Sequence, residues 1–386
     1  MTDLNRRAVI RGGAALALLT TFSGGLPTWA SGRIGPDTPV RPPDFDSPVW
    51  RALPLPDRQL FTILSQIHST FSEHSGQIWN GYRPDRGPMI CGHFPGADAP
   101  VDYAYVLNSR DPAKVGDAQP VDLPRALCLP RVHRITRGPG VEAAQDPGGT
   151  VGAREVAGEL TWLVGFSTAV GWVLDPSTWL FGRIAVHEAF HVHQAGWDHG
   201  DGVQYWPNDY PRDVENAALA LLEDAVLTLP PGQRPSTART ALLTYLAIRA
   251  TRHDRLPETR KREHMYHLIE GTARFVEERY VRLGGHGPLD RSLDLTVGKL
   301  LLVWIARSRG YRAGADCAEL LDSAAGPGWR LRAPQGKAPA DVAGEVLGVP
   351  GGEERDRLVA KAKADFDYAK LLAKVERADL PHAVYP

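Results

Sequence analysis

The sequence predicts an α+β fold, with a small sheet in its N-terminal half and helices through most of its C-terminal half. Three observations carry this. Between residues 78 and 136, short runs rich in β-branched and aromatic residues alternate with Gly, Pro and Asp turns, as strands do. From about residue 178 onward, apolar positions recur every three or four residues over long stretches, as helices require. A length of 386 residues with 43% apolar side chains allows a sizeable core in one large domain or two packed lobes.

The elements follow in order. Residues 1–30 read as an export signal. A charged start, Asn5-Arg6-Arg7-Ala8-Val9-Ile10-Arg11, precedes an apolar run from Ala14 to Phe22 and a small-residue cleavage site at Thr28-Trp29-Ala30. The first part resembles the twin-arginine motif, which implies export to the periplasm or beyond. The run is too short for a permanent membrane anchor. Residues 31–56 are proline-rich and are expected to form an extended strap. A helix is expected over 57–73 from Leu60, Ile63, Leu64, Ile67 and Phe71. Strands are expected at Ile78–Tyr82, Pro88–Cys91, Tyr103–Leu107, Ala126–Leu129, Val132–Thr136 and Trp162–Ser167, with a Gly/Pro loop over 138–152. The helical half, 178–386, should hold helices at 178–195, 213–229, 236–253, 258–283, 293–309 and 353–376, the last after a Gly/Pro-rich segment. No internal repeat is visible.

The chemistry concentrates in one of these helices. His187-Glu188-Ala189-Phe190-His191 spells H-E-x-x-H inside a strongly apolar stretch that Gly196 ends. Residues four apart share one face of a helix. His187 and His191 can therefore hold a single zinc ion between them, while Glu188 holds and deprotonates a water on it. Two histidines and a glutamate inside so apolar a helix would cost several kcal/mol if left without partners, roughly the penalty for buried unpaired polar groups. The segment resembles the active-site helix of the zincin metallopeptidases. His193 departs from the family pattern, which is usually apolar there.

A catalytic zinc needs a third protein ligand and an open fourth position. Downstream, Glu270-Gly271-Thr272-Ala273-Arg274-Phe275-Val276-Glu277 lies in the helical stretch between Pro257 and Gly284. Gly271 costs about 1 kcal/mol relative to alanine in a helix, and a small residue there lets another helix come close. The pattern E-G-x-A-x-(aromatic)-x-E is similar to the third-ligand helix of the gluzincins, and that resemblance makes Glu270 the third ligand. The implied fold is a zincin-like metallopeptidase domain over 57–386. Glu215 and Glu223 on the nearer helix are rival ligands or partners that orient a ligand histidine from outside, as are His193 and His267. A metzincin site would need glycine at Gln194 and histidine at Trp197. In similar enzymes a tyrosine or histidine stabilises the oxyanion, and Tyr280, Tyr311 and His267 are the candidates here.

The expected function is that of an exported zinc-dependent metallopeptidase with one Zn2+ ion, Glu188 as general base, and a peptide or protein as substrate. Two alternatives stay open: a degenerate or structural zinc centre in an exported protein, and a zinc hydrolase of a non-peptide amide or ester. Removing residues 1–30 takes away Arg6, Arg7, Arg11 and Asp3, leaving 41 basic and 44 acidic side chains and a net charge of −3. That balance argues against a nucleic-acid partner. Of the three cysteines, Cys91, Cys128 and Cys317, the first two could pair in an oxidising compartment, and at least one of the three is expected to be a buried free thiol. Trp197, Tyr205, Trp206 and Tyr210 follow the metal helix in a polar loop and could line a cleft or pack the loop down.

Overall fold

The computed structural model describes residues 39–96, 99–145, 151–170, 173–198, 210–285, 301 and 304–378. The export signal, the first residues of the strap, His199, Tyr205, Trp206 and most of the helix expected at 293–309 lie outside the described residues. The chain divides into two compact units. The first takes the residues up to Ala195 and the segment Val276–Ser292; the second takes Gly196–Phe275 and the residues from Leu293 on.

The α+β class is borne out. In the first unit a six-stranded sheet has the order β3-β4-β2-β1-β6-β5, with β1 Met89–His93, β2 Tyr103–Leu107, β3 Gln119–Val121, β4 Val132–Ile135, β5 Val151–Val156 and β6 Glu159–Phe166. All neighbours are antiparallel except β1 and β6, which run parallel with Cys91 opposite Val164. The helix Leu55–Ile78 buries Leu60, Ile63, Leu64, Ile67 and Phe71, the five positions that set its period. It runs through the residues expected to open a strand at Ile78. Asp57 in its first turn accepts hydrogen bonds from the hydroxyls of Tyr103 and Tyr105, at 2.8 and 2.5 Å, which tie the helix to β2. The strap is anchored by the Val40 amide on the Ser177 carbonyl at 2.8 Å, and it carries a short helix, Pro48–Ala52, that buries Trp50.

Several expected elements differ, each for a local reason. Ala126–Leu129 is not a strand: Arg125–Leu127 forms a 3-10 turn that Cys128 ends in the left-handed region at φ 51°. The 138–152 loop contains a helix, Pro139–Gln145, because proline pre-sets the first helical φ. Its Gly140 lets the backbone approach Val115 and Ile135, whose side chains would lie 2.5 and 2.7 Å from an added Cβ. β5 went unforeseen because its hairpin turn, Ala157-Gly158, puts an alanine at φ 51°, where turn sequences favour asparagine or glycine. Cys91 and Cys128 are not joined. Cys91 is buried in β1 beside the Met89 sulfur at 3.5 Å, and Cys128 is exposed.

The second unit is helical among its described residues, with Val214–Leu227, Pro235–Arg255, Glu258–Met265, Arg309–Ala325, Pro339–Leu347, Gly352–Asp365 and Tyr368–Arg377. The helix expected at 353–376 breaks at Asp367, which takes φ 49° and caps the following turn through Lys370. The segment before it is not open chain: Arg309–Ala325 and Pro339–Leu347 occupy most of it. A buried ion network ties four of these helices together. Arg252 binds Glu223 at 2.8 Å and also binds Glu263, while Arg309 binds Glu223 as well. Arg249 reaches Glu263 at 2.9 Å, and the Tyr210 hydroxyl donates to Glu263 at 2.7 Å. Burial pushes the Glu263 carboxyl up, but Arg252, His253, Arg249 and Arg309 outweigh it and hold it well below the usual carboxylate range. Among the described residues no helix is long and apolar enough to cross a membrane.

Candidate metal centre

The H-E-x-x-H motif falls within the helix Leu180–Gln194, as expected. Phe181, Ala185, Val186, Ala189 and Phe190 are buried, which fixes the helix's orientation in the first unit. Tyr82, expected in a strand, instead donates its hydroxyl to the Val186 carbonyl at 3.1 Å. Gly182 gives the close approach on another face: an added Cβ would lie 2.8 Å from Ile63 Cγ2 and 3.1 Å from the Tyr280 hydroxyl.

The two ring planes of His187 and His191 stand nearly perpendicular, with centroids 4.9 Å apart. Each Nδ1 faces an oxygen acceptor. His187 Nδ1 donates to Glu277 Oε2 at 3.1 Å, and His191 Nδ1 donates to Gln194 Oε1 at 2.6 Å. An acceptor on Nδ1 assigns the proton there and leaves Nε2 as the ligating nitrogen of each ring. Glu188, between them in sequence, is buried.

The third carboxylate comes from the helical run 258–283, in which Tyr266–Gly271 is a π turn between two α-helical parts. Its last turns are pinned in the first unit by Gln66 Nε2 on the Gly284 carbonyl at 2.8 Å and by Arg279 on the Gln77 carbonyl at 2.7 Å. Glu277 there meets His187. Glu270 lies seven residues earlier, nearly two turns back and so on nearly the same face. One ligand atom each from His187, His191 and Glu270 lies within 4.8 Å of the others, a group that could hold a metal ion. Two imidazoles and a carboxylate suit zinc, and both histidines already carry the outer hydrogen bonds such ligands need. The donor set therefore fits the ion.

The remaining candidate residues lie as follows. Glu223, offered as a rival ligand or an outer partner, is fully buried against Arg252 and Arg309. Glu215 pairs with Arg255 at 2.6 Å on a half-exposed surface. His193 packs on Tyr82 and Phe190, with centroids 5.5 and 5.4 Å away, and burial lowers its basicity. His267 is fully buried, its backbone against Gly314, and neither ring nitrogen has a hydrogen-bond partner. Burial, reinforced by Arg249, drives its pKa far down, so it is a neutral packing group. Tyr280 is buried against Gly182 and stacks on Phe71 with centroids 6.0 Å apart. Tyr311 lies half-buried beside Tyr266, next to Gly310, whose carbonyl would lie 3.2 Å from a Cβ at position 271.

The outer partners that matter, Glu277 and Gln194, were not singled out from sequence. Both had signals. Glu277 closes the E-G-x-A-x-F-x-E pattern two turns after Glu270, and Gln194 stands three residues after His191, within reach on a helix. Gly271 is small because Gly314 crosses it: an added Cβ would sit 2.7 Å from Gly314 Cα. No family model, no curated protein and no solved structure matches the chain.

Proposed function

We propose that this chain is an exported zinc-dependent peptidase, with His187, His191 and Glu270 holding one ion and Glu188 acting as general base. The observation that carries the reading is the convergence of the three ligand atoms within 4.8 Å, two of them from the helix that also bears Glu188. Bound there, zinc would lower the pKa of a water and polarise the substrate carbonyl.

The chain's own residues supply the rest. Glu277 and Gln194 hold the imidazoles in one tautomer, so each presents a lone pair rather than a proton. Glu188, adjacent to His187, accepts the proton of the attacking water and delivers it to the leaving amine. Its burial strengthens these proton transfers by excluding competing water. Of the two tyrosines, Tyr311 is assigned the oxyanion on the ground that its helix approaches Gly271, the neighbour of Glu270. A glutamate in the base position also favours hydrolysis over a purely structural zinc centre, which needs no base.

The test uses the mature protein, a mixed peptide library and a chelator. Cleavage that stops with the chelator, returns with zinc and is lost in Glu188→Gln with zinc still bound supports the reading. Cleavage that persists in Glu188→Gln refutes its role as base. Zinc binding without peptide cleavage, but with turnover of an ester or non-peptide amide, shifts the substrate class. The export part predicts a mature N-terminus at Ser31, and N-terminal sequencing of secreted protein checks it.

A further inference from the structure

Arg183 sits four residues before His187, one turn back on the same face of the helix. Its Nε donates to Glu277 Oε1, while the other oxygen, Oε2, accepts from His187 Nδ1 at 3.1 Å. Side-chain exposures are 7% for Arg183, 5% for Glu277 and 8% for His187, so all three are buried. Taking a guanidinium out of water is costly, and an apolar residue could fill the same space without that cost. The carboxylate bridges two partners, one oxygen to each, and the arginine stops it from turning away from the imidazole. Arginine's planar fork does this where lysine's point charge would not fix direction.

We propose that Arg183 is a positioning residue for the metal centre, acting through Glu277 to hold His187 with its Nε2 toward the ion. The inference rests on the zinc reading above, but it assigns a role to a residue outside both motifs. A change at Arg183 should weaken zinc binding although no ligand is altered.

The test is a chelator-competition measurement of zinc affinity for wild type, Arg183→Met, Arg183→Lys, Glu277→Gln and the double variant Arg183→Met/Glu277→Gln. Arg183→Met should bind zinc about 10-fold more weakly, the lower end for loss of an outer partner, and Arg183→Lys should fall between it and wild type. The double variant should lose no more than Glu277→Gln alone, because the arginine works through that carboxylate. Wild-type affinity in both arginine variants, or losses that add in the double variant, would overturn the proposal. Should Arg183→Met fail to fold, Arg183→Lys decides by the same criterion. A second readout needs no metal: long-range 1H–15N correlations of the His187 ring in metal-free protein. Wild type should show a single Nδ1–H tautomer and Arg183→Lys a mixture. One unchanged tautomer in the variant refutes the positioning role, and this readout decides even if the wild-type protein binds no zinc.

Discussion

Replacing Gly271 by alanine tests how the ligand helix is placed. The new methyl carbon would lie 2.7 Å from Gly314 Cα and 3.2 Å from both the Gly310 oxygen and the Gly314 carbonyl carbon. All three are backbone atoms, so no side chain can rotate out of the way and the two helices must move apart. Overpacking of this kind costs about 1–3 kcal/mol, and rigid neighbours place it in the upper half. Alanine recovers about 1 kcal/mol of helix propensity. The net expectation is a loss of roughly 1–2 kcal/mol. Gly76 supplies the control: it lies in the helix Leu55–Ile78, and an added Cβ there has nothing within 4 Å. Gly76→Ala should gain up to about 1 kcal/mol. Urea unfolding followed by far-UV circular dichroism, with slopes compared as well as midpoints, measures both. If Gly271→Ala is as stable as wild type, or shifts upward alongside Gly76→Ala, the close crossing does not exist as described. Because Glu270 is the adjoining residue, zinc affinity should fall together with the stability of Gly271→Ala.

Further outcomes separate the ligands from their neighbours. Glu270→Ala should lower zinc content whereas Glu215→Ala, whose partner is Arg255, should leave it intact; atomic absorption on dialysed protein decides. Glu223→Ala takes one of the carboxylate partners from each of the buried Arg252 and Arg309, which keep Glu263 and Asp224, and should cost about 3 kcal/mol, the lower end for breaking a buried pair, in urea unfolding without loss of zinc. Burial pushes the Cys317 thiol up to about 12 and Cys91 higher still, so Ellman's reagent should titrate one thiol, Cys128, in native protein and three after denaturation. Asp117 accepts from the Thr136 amide and hydroxyl and the Arg137 amide, which lower its carboxyl from the ordinary 3.8 to about 2. A depressed folded-state pKa stabilises above the unfolded value and ceases to do so as the pH falls through the folded one. The stability gap between wild type and Asp117→Asn should thus be full above about pH 4 and shrink toward pH 2; a gap independent of pH removes that role.

What was legible in the sequence tracks how local each feature is. The pairing of His187 with His191 is a property of one helix turn, and the apolar residues around it mark the helix in the sequence itself. Glu270 was legible through its glycine and the aromatic five residues later, a pattern carried within a single helix. Glu277 stood in the same pattern, but its role depends on how that helix meets the helix of Arg183 and His187. Tyr280 illustrates the same limit: its burial beside Gly182 depends on a residue 98 positions earlier in the chain. Glu223 looked available because its counter-ions, Arg252 and Arg309, are 29 and 86 residues away. In the sheet, β2 was visible because every residue of Tyr103–Leu107 is buried, whereas β3 is a three-residue edge of Gln119, Pro120 and Val121 with little apolar signal. The helix Arg309–Ala325 starts where the expected 293–309 helix was to end, and its Gly310 and Gly314 serve the close approach to Tyr266 and Gly271.

The central claim is that two imidazoles one helical turn apart and one distant carboxylate hold a single zinc ion. X-ray absorption at the zinc edge, on mature protein loaded with one equivalent, tests it directly. The account predicts a nitrogen and oxygen shell at about 2.0–2.1 Å with the outer-shell signature of two histidines, losing one imidazole in His191→Ala. A sulfur scatterer at about 2.3 Å, a shell unchanged by His191→Ala, or protein that retains no zinc after desalting would contradict it.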